Sequence, residues 1–139
     1  MAAYLWAQLE QREVILSKRR TVWDRYFALL EPHAAEHGFR LPVVPNHCLQ
    51  AYHLFYVLLP DNDTRNRVLD RMRAAGVQPT FHYVPLHSSE GGRKFTAKQT
   101  ACPVTDDISG RLLRLPFYNN LSTADAERVV ATFLEAFGS

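Results

Sequence analysis

The stretch that decides the fold is Gln50–Leu59 (QAYHLFYVLL), which ends at Pro60. It is rich in aromatic and β-branched residues, and its apolar content is nearly continuous. A run of this kind predicts a β-strand in the interior of a sheet. His53 interrupts the run and allows two interpretations: a core histidine hydrogen-bonded to backbone, or a side chain that faces a cleft from a rigid strand.

Helices and strands alternate on the C-terminal side of this run, and turn-forming or capping residues set their boundaries. The prediction comprises a helix that Asp63 caps and Gly76 ends, a strand over Gln78–Val84, a surface loop over His87–Cys102, a short helix over Val104–Arg111, a strand over Leu112–Pro116, and a helix that Ser122 caps and Gly138 ends. With the opening helix, the order is α, β, α, β, short α, β, α. A small sheet of about three strands with helices packed on one face is the natural α+β arrangement for that order.

The chain opens with a long amphipathic helix, predicted from Ala2 to about Leu30. Its apolar stripe is formed by Leu5, Leu9, Leu16, Trp23, Phe27 and Leu30. Pro32 is expected to break or kink this helix before a connecting loop. The apolar pattern starts without an N-cap, which suggests a piece of something longer, although a frayed natural terminus would look the same. The chain is interpreted as one small domain, 1–139, with a linking helix over 1–31 and an α+β core over 50–139.

Length and composition are typical of one globular domain and disfavour several functions. The chain has 139 residues, of which 47% are hydrophobic, and 16 Lys plus Arg against 14 Asp plus Glu give a formal net charge of +2. This charge is too small for a dominant nucleic-acid-binding surface. The longest apolar run is too short to cross a bilayer. Cys48 and Cys102 form no CxxC pair, and the absence of a signal peptide adds to the expectation of a reducing cytoplasm.

His33 and His37 stand four positions apart among the six histidines. This spacing can place two metal ligands on one face of a helix. Because no third ligand is evident nearby and Pro32 is expected to disrupt the local helix, both are interpreted as solvated surface residues. The sequence therefore predicts no metal site.

The densest group of candidate binding residues is the string FHYVPLH, which carries His82, Tyr83 and His87 at the end of a predicted strand. Two imidazoles and a phenol there can donate hydrogen bonds to phosphate or sugar oxygens. An amphipathic strand end with ordinary surface histidines would show the same pattern.

Arg93 and Lys94 follow Gly91-Gly92 in the predicted loop. Such a loop either closes over an anion or is simply solvated. No complete catalytic set accompanies these residues, since the chain lacks a GxSxG elbow and its cysteines lack a persuasive partner.

Four strings occur in a characteristic order: HLFYVLL (53–59), AAGVQPTFHYVPLH (74–87), GRKF (92–95) and SGRLLRLPFYNNLS (109–122). They resemble the C-terminal part of the DegT/DnrJ/EryC1/StrS family of sugar-nucleotide aminotransferases. The opening AAYLWAQLEQ (2–11) is similar to the long helix that follows the large domain in that family. The resemblance covers essentially the whole chain and is greatest to the TDP-4-amino-4,6-dideoxygalactose transaminase branch.

The resemblance implies the small C-terminal α+β domain of a fold type I enzyme that uses pyridoxal 5′-phosphate (PLP). Such a domain closes the site over a nucleotide sugar. The implied reaction moves an amino group from glutamate to a nucleotide-linked 4-keto-6-deoxy sugar, in a homodimer, with PLP as the electron sink. His82, Tyr83, His87 and His53 are the implied contacts to the sugar nucleotide, and Arg93 and Lys94 are the implied contacts to its diphosphate.

The chain departs from the family pattern because the large PLP-binding domain is absent. None of Lys18, Lys94 and Lys98 matches the motif of the Schiff-base lysine. The chain is therefore expected to be a C-terminal fragment that folds, binds no cofactor and does not transaminate. The alternative hypothesis is a non-catalytic ferredoxin-like module for a small ligand or RNA, although no clear RNP1 string is present. A third hypothesis is that the chain is mainly part of a subunit interface, with the apolar side chains of Leu5, Trp6 and Leu9 exposed.

Overall fold

The computed structural model describes residues 2–95 and 101–138, which form six α-helices, three short β-strands and a 3₁₀ turn. The elements are α1 (Ala2–Glu10), α2 (Arg12–His37), β1 (Tyr56–Leu58), α3 (Asn62–Ala74), β2 (Thr80–Phe81), the 3₁₀ turn (Leu86–Ser88), α4 (Glu90–Phe95), α5 (Pro103–Arg111), β3 (Leu112–Arg114) and α6 (Thr123–Gly138). None of the helices in these ranges is long and apolar enough to span a bilayer.

The sheet has the order β1-β3-β2, and both pairings are antiparallel. The strand in the centre is β3, so the prediction that the 50–59 run supplies an interior strand was wrong about its position. Only Tyr56–Leu58 of that run is a strand. The run is apolar because both faces of β1 are covered: Val57 and Leu58 project to opposite faces and both are buried. Leu58 also exchanges two backbone hydrogen bonds of 2.9 Å with Arg40, on the edge of β1 that does not pair with β3.

The core lies between the sheet and the helices α2, α3 and α6. Phe55 is fully buried, and its ring centroid lies 5.4 Å from that of Trp23 and 5.2 Å from that of Tyr26. Phe39 meets Phe133 of α6 edge-on at 5.2 Å. These contacts bury one apolar stripe of each helix against one face of the sheet, as the predicted α+β arrangement requires.

The N-terminal region forms two helices instead of one, because the helix is interrupted at Gln11. Pro32 does not end α2, which continues to His37 and is capped by Gly38 at φ 73°. Proline removes one helical hydrogen bond, whose acceptor is the carbonyl of Ala28. Ala28 and Pro32 are both exposed, so water can reach that side of the helix. The predicted stripe is buried only in its second half, since α1 has no buried residue.

Local sequence sets both ends of α3. Its N-cap is Asp61 and not Asp63: the Asp61 carboxylate accepts a hydrogen bond of 2.7 Å from the Thr64 amide. This bond and the Thr64 hydroxyl lower the pKa of Asp61. The predicted stop at Gly76 is confirmed, with φ 78°, and the chain leaves the helix there in a Schellman motif.

Ser122 caps α6 as predicted. Its hydroxyl oxygen accepts a hydrogen bond of 3.0 Å from the Asp125 amide and donates one of 2.6 Å to the Asp125 carboxylate. These bonds satisfy one of the amides that a helix start leaves without a partner. The cap fixes where α6 begins to cover the sheet.

Candidate functional site

The face of the sheet opposite the core carries a row of polar side chains, here called the polar face. Tyr56 and Thr80 both pair with Arg114, so the three side chains project from the same face. The next row, Val57 with Leu113, faces the core and is fully buried. Arg114 stands in the centre of the sheet and takes part in none of the ion pairs found in residues 2–95 and 101–138.

His82 follows β2 directly and joins this face. Its Nδ1 is buried and hydrogen-bonds to no group in the described part of the chain. Burial lowers the pKa of His82, and the nearby charges of Arg114 and His53 lower it further. The imidazole is therefore neutral near pH 7, with one nitrogen that can donate and one that can accept a hydrogen bond.

His53 does not lie in a strand, and both interpretations of it from the sequence assumed one. It is exposed in the loop before β1, next to Tyr52, which has a φ of 48°. Arg19 of α2 holds this loop: its Nε donates to the Tyr52 carbonyl at 2.6 Å and its Nη2 donates to the His53 carbonyl. Because Arg19 also lies 4.7 Å from the centre of the Phe117 ring, one side chain connects α2 to two loops that border the sheet.

Tyr83 stays beside His82, with ring centroids 5.3 Å apart in an edge-to-face arrangement. It is 76% exposed, so its hydroxyl is accessible to a ligand or to a second protein surface. The structure thus places His53, His82 and Tyr83 in one region, together with Arg114.

His87 is engaged differently. It lies in the 3₁₀ turn, where its Nε2 lies 3.0 Å from a carboxylate oxygen of Asp106 in α5, within hydrogen-bonding distance. This contact fixes the 3₁₀ turn to α5. A ligand that needed this imidazole nitrogen would have to displace Asp106.

Arg93 and Lys94 lie in a short helix and not in the flexible Gly-Gly loop that the sequence predicted. Gly92 is buried in α4, and a Cβ there would lie 1.7 Å from the Leu86 carbonyl oxygen. Glycine is therefore required at this position because the backbone of Leu86 packs directly against it. Both cations are exposed on α4. Residues 96–100, the middle of the predicted loop, lie outside the described residues.

A groove of about 260 Å³ runs beside the polar face. Its lining is mostly apolar and includes Arg40 and Tyr56. Pockets that enclose a small molecule usually have volumes of about 300–1,000 Å³. The volume of the groove is below this range, so the groove is too small to enclose a small molecule by itself. A second surface would have to complete the site.

Lys18 and Lys94, the two lysines in the described part of the chain, do not fit a PLP site. A lysine that forms a Schiff base is activated by desolvation or by a neighbouring cation. Lys18 is exposed, with its Nζ 3.5 Å from the Asn120 side-chain oxygen, and Lys94 is exposed, with its Nζ 5.8 Å from the centre of the Phe95 ring. Lys98 lies outside the described residues.

Arg114 and Tyr56 belong to this surface although the sequence did not predict them as candidates. Arg114 lies between Leu113 and Leu115 in RLLRLP, so strand alternation puts it on the face opposite these two leucines, but alternation does not say which strand is central. Register places Arg114 between Tyr56 and Thr80, which are distant in sequence.

Comparison with known proteins places this architecture among sugar aminotransferases. Residues 1–134 match the model of the DegT/DnrJ/EryC1/StrS aminotransferase family. The chain is 27% identical over 136 residues to dTDP-3-amino-3,4,6-trideoxy-alpha-D-glucose transaminase of Micromonospora megalomicea subsp. nigra, covering 96% of this chain and 36% of that protein. The chain thus spans about a third of the length of the curated relatives it matches.

Solved structures share the fold. S. venezuelae DesV, solved in complex with a ketimine intermediate, superimposes with a TM-score of 0.84 at 24% identity, covering 99% of this chain and 36% of DesV. NtdA of Bacillus subtilis, solved with bound cofactor PMP, superimposes with a TM-score of 0.75 at 20% identity, covering 88% and 28% of the two chains.

Proposed function

Since the chain belongs to the DegT/DnrJ/EryC1/StrS aminotransferase family, we propose that it is the C-terminal small domain of a PLP-dependent sugar-nucleotide aminotransferase. The proposed reaction moves an amino group from glutamate to a nucleotide-linked 4-keto-6-deoxy sugar, in the cytoplasm. The cofactor supplies the electron sink when it is bound in the complete enzyme. The described lysines do not fit its site, so the chain by itself is proposed to be inactive.

The observation that carries the proposal is the buried His82 Nδ1, a polar atom with no partner in the described residues, next to Arg114 on the polar face. A buried polar group without a hydrogen bond is costly to leave unpaired. A ligand or a facing protein surface with hydroxyl groups would supply the missing partner once a rotation of the ring brings this nitrogen to the surface. The small adjacent groove fits a surface that is completed by a second wall.

Each member of the polar face has a role in this proposal. The neutral His82 imidazole hydrogen-bonds a sugar hydroxyl, and Arg114 meets a phosphate oxygen of the nucleotide. Tyr83 and His53 line the same region and supply further hydrogen-bonding groups. Arg93 and Lys94 are proposed as additional phosphate contacts from α4. His87 is proposed to hold the 3₁₀ turn through Asp106 more than to contact the sugar.

The position of the keto group in the sugar distinguishes branches of the family. We place this chain in the TDP-4-amino-4,6-dideoxygalactose transaminase branch, on the strings that carry the resemblance. The curated relative in Micromonospora is named for a 3-amino sugar, which makes the 3-keto sugar the competing substrate.

The test uses two proteins: the chain by itself and a complete enzyme that carries it after a large domain. Each is mixed with PLP, glutamate and either a TDP-4-keto-6-deoxy or a TDP-3-keto-6-deoxy sugar, and product is measured by chromatography. We expect turnover only from the complete enzyme and preference for the 4-keto sugar. Absorbance of a lysine-bound cofactor on the isolated chain would contradict the assignment as a non-catalytic domain. Preference for the 3-keto sugar would overturn the branch and keep the family reaction.

The role of the polar face is tested in the complete enzyme. Arg114→Gln and His82→Asn are expected to raise KM for the nucleotide sugar with little change in KM for glutamate. His47→Asn is the matched control, because His47 is exposed in a loop and lies outside the polar face. An unchanged KM in both variants would remove the polar face from substrate binding.

A further inference from the structure

We propose that the last turn of α2 binds a divalent transition metal ion through His33, Glu36 and His37. Within the described residues, these three side chains form a group whose ligand atoms all lie within 4.8 Å of one another. The site goes beyond the proposed transaminase function and shares no residue with the polar face.

The helix itself brings the three ligands together. His33 and His37 are separated by four residues, and Glu36 follows His33 by three, so all three project from one side of a helix. This requires α2 to continue past Pro32, and the Gly38 amide closes the last turn on the Ala34 carbonyl at 3.0 Å. The two reasons for predicting no metal here, a disrupted helix and no third ligand, were both wrong.

The distances suit coordination after small side-chain rotations. Zinc bonds of about 2.1 Å in tetrahedral geometry place the ligand atoms about 3.4 Å apart. The rings of His33 and His37 have centroids 6.0 Å apart, so their nitrogens can approach a common point. Rotation of the exposed Glu36 side chain and of the His33 ring would close the remaining gap, with His37 kept in place.

The ring of His37 is already oriented by its surroundings. It stacks on Phe39, with centroids 6.4 Å apart and planes 13° apart, and meets Phe137 of α6 edge-on at 5.7 Å. A ligand held in place loses less entropy when the ion binds. Because Phe137 belongs to α6, a bound ion would also strengthen the contact between the ends of α2 and α6.

Donor chemistry and charge select the class of ion. Two imidazole nitrogens and one carboxylate oxygen suit Zn²⁺, Ni²⁺ or Cu²⁺, whereas Mg²⁺ and Ca²⁺ prefer oxygen ligands. The group lies at the C-terminal end of α2, where the helix dipole favours positive charge. His33 and His37 are half-buried and Glu36 is exposed, so water can complete the coordination.

The probe is Zn²⁺ alone, titrated into the metal-free chain by calorimetry and by competition with a chromogenic chelator. We expect one Zn²⁺ per chain and an affinity at least about tenfold weaker in His33→Gln and in Glu36→Gln, since each variant loses a ligand. His47→Gln is the control for a lost exposed imidazole, and Cys48→Ser is the control for thiol binding. Both controls should bind Zn²⁺ as the unaltered chain does.

Two further measurements separate the site from non-specific binding. Zn²⁺ should raise the Tm of the unaltered chain and leave that of His33→Gln unchanged. The resonance spectrum of bound Cu²⁺ should report two imidazole nitrogens. Equal affinity in His33→Gln and the unaltered chain, or loss of binding in Cys48→Ser, would overturn the proposal. Glu36 is exposed, so Glu36→Gln keeps the test valid if a histidine variant folds poorly.

Discussion

Replacement of Phe55 by alanine should remove a central part of the core. The side chain is fully buried, and the rings of Trp23 and Tyr26 pack against it at 5.4 and 5.2 Å. Both neighbours belong to α2, while Phe55 accepts a backbone hydrogen bond of 3.1 Å from Leu115, just past β3. The cavity therefore opens at the junction of helix and sheet. Removal of a buried phenylalanine costs about 3–5 kcal/mol, against about 5–15 kcal/mol for the whole free energy of unfolding.

The chain contains its own probe for this experiment. Trp23 is buried against Phe55, whereas Trp6 is 67% exposed in α1, so a Trp6→Phe background leaves the fluorescence of Trp23 as the signal. Urea unfolding should show an unchanged m and a lower midpoint. With m of about 1–3 kcal/mol/M, the midpoint should fall by at least about 1 M.

The matched control is Phe95→Ala, because Phe95 is 84% exposed on α4. The same change of side chain there should alter the free energy of unfolding by no more than about 0.5 kcal/mol. If Phe55→Ala lowers the free energy of unfolding no more than Phe95→Ala does, the packing of α2 on the sheet contributes little to the stability of this fold.

Two further predictions concern the polar face and α1. Folding lowers the pKa of His82, so the unfolded chain binds a proton on this imidazole more tightly than the folded chain does. The contribution of His82 to the free energy of unfolding is therefore complete above the unfolded pKa of about 6.5 and is lost as the pH falls through the folded pKa. In a proton NMR titration, Arg114→Gln should raise the pKa of His82, whereas the control Arg128→Gln should leave it unchanged. The same His82 pKa in both variants would mean that Arg114 does not lie near the imidazole. On α1, Leu5 and Trp6 are 56% and 67% exposed, so the isolated chain should self-associate with rising concentration, in line with the homodimer that the family resemblance implies. Sedimentation velocity should show Leu5→Glu shifted toward the monomer, and a strict monomer for the unaltered chain across the whole range would exclude this surface as an interface.

The candidate site could be predicted in part. The string FHYVPLH identified His82 and Tyr83, because polar aromatic side chains at a strand end are visible in the sequence. Arg114 was missed, since its place in the site depends on strand order. His87 looked equivalent to His82 in the sequence, and only the structure shows its Nε2 paired with Asp106.

The same division holds for the helices and glycines. A terminal Gly76 and a capping Ser122 act within a few residues, so local sequence was sufficient to predict both. Pro32 was expected to break or kink the helix, yet α2 continues to His37, because the carbonyl left without a donor belongs to the exposed Ala28 and can be hydrated. Gly92 was interpreted as flexible, and its actual role comes from a backbone oxygen six positions away.

The sequence by itself determined the α+β class, the family and the order of the strands and main helices along the chain, because periodicity, capping and characteristic strings depend on neighbouring residues. It did not predict the interruption at Gln11 or the helix α4, and it made the first two strands too long. The tertiary structure alone decided that β3 is the central strand, that Arg114 and His82 share a face, and that His33, Glu36 and His37 form one group. Each of these depends on strand register, strand order or continuity of a helix. The packing of the whole chain sets these properties, because the energy that fixes them comes from contacts between segments distant in sequence.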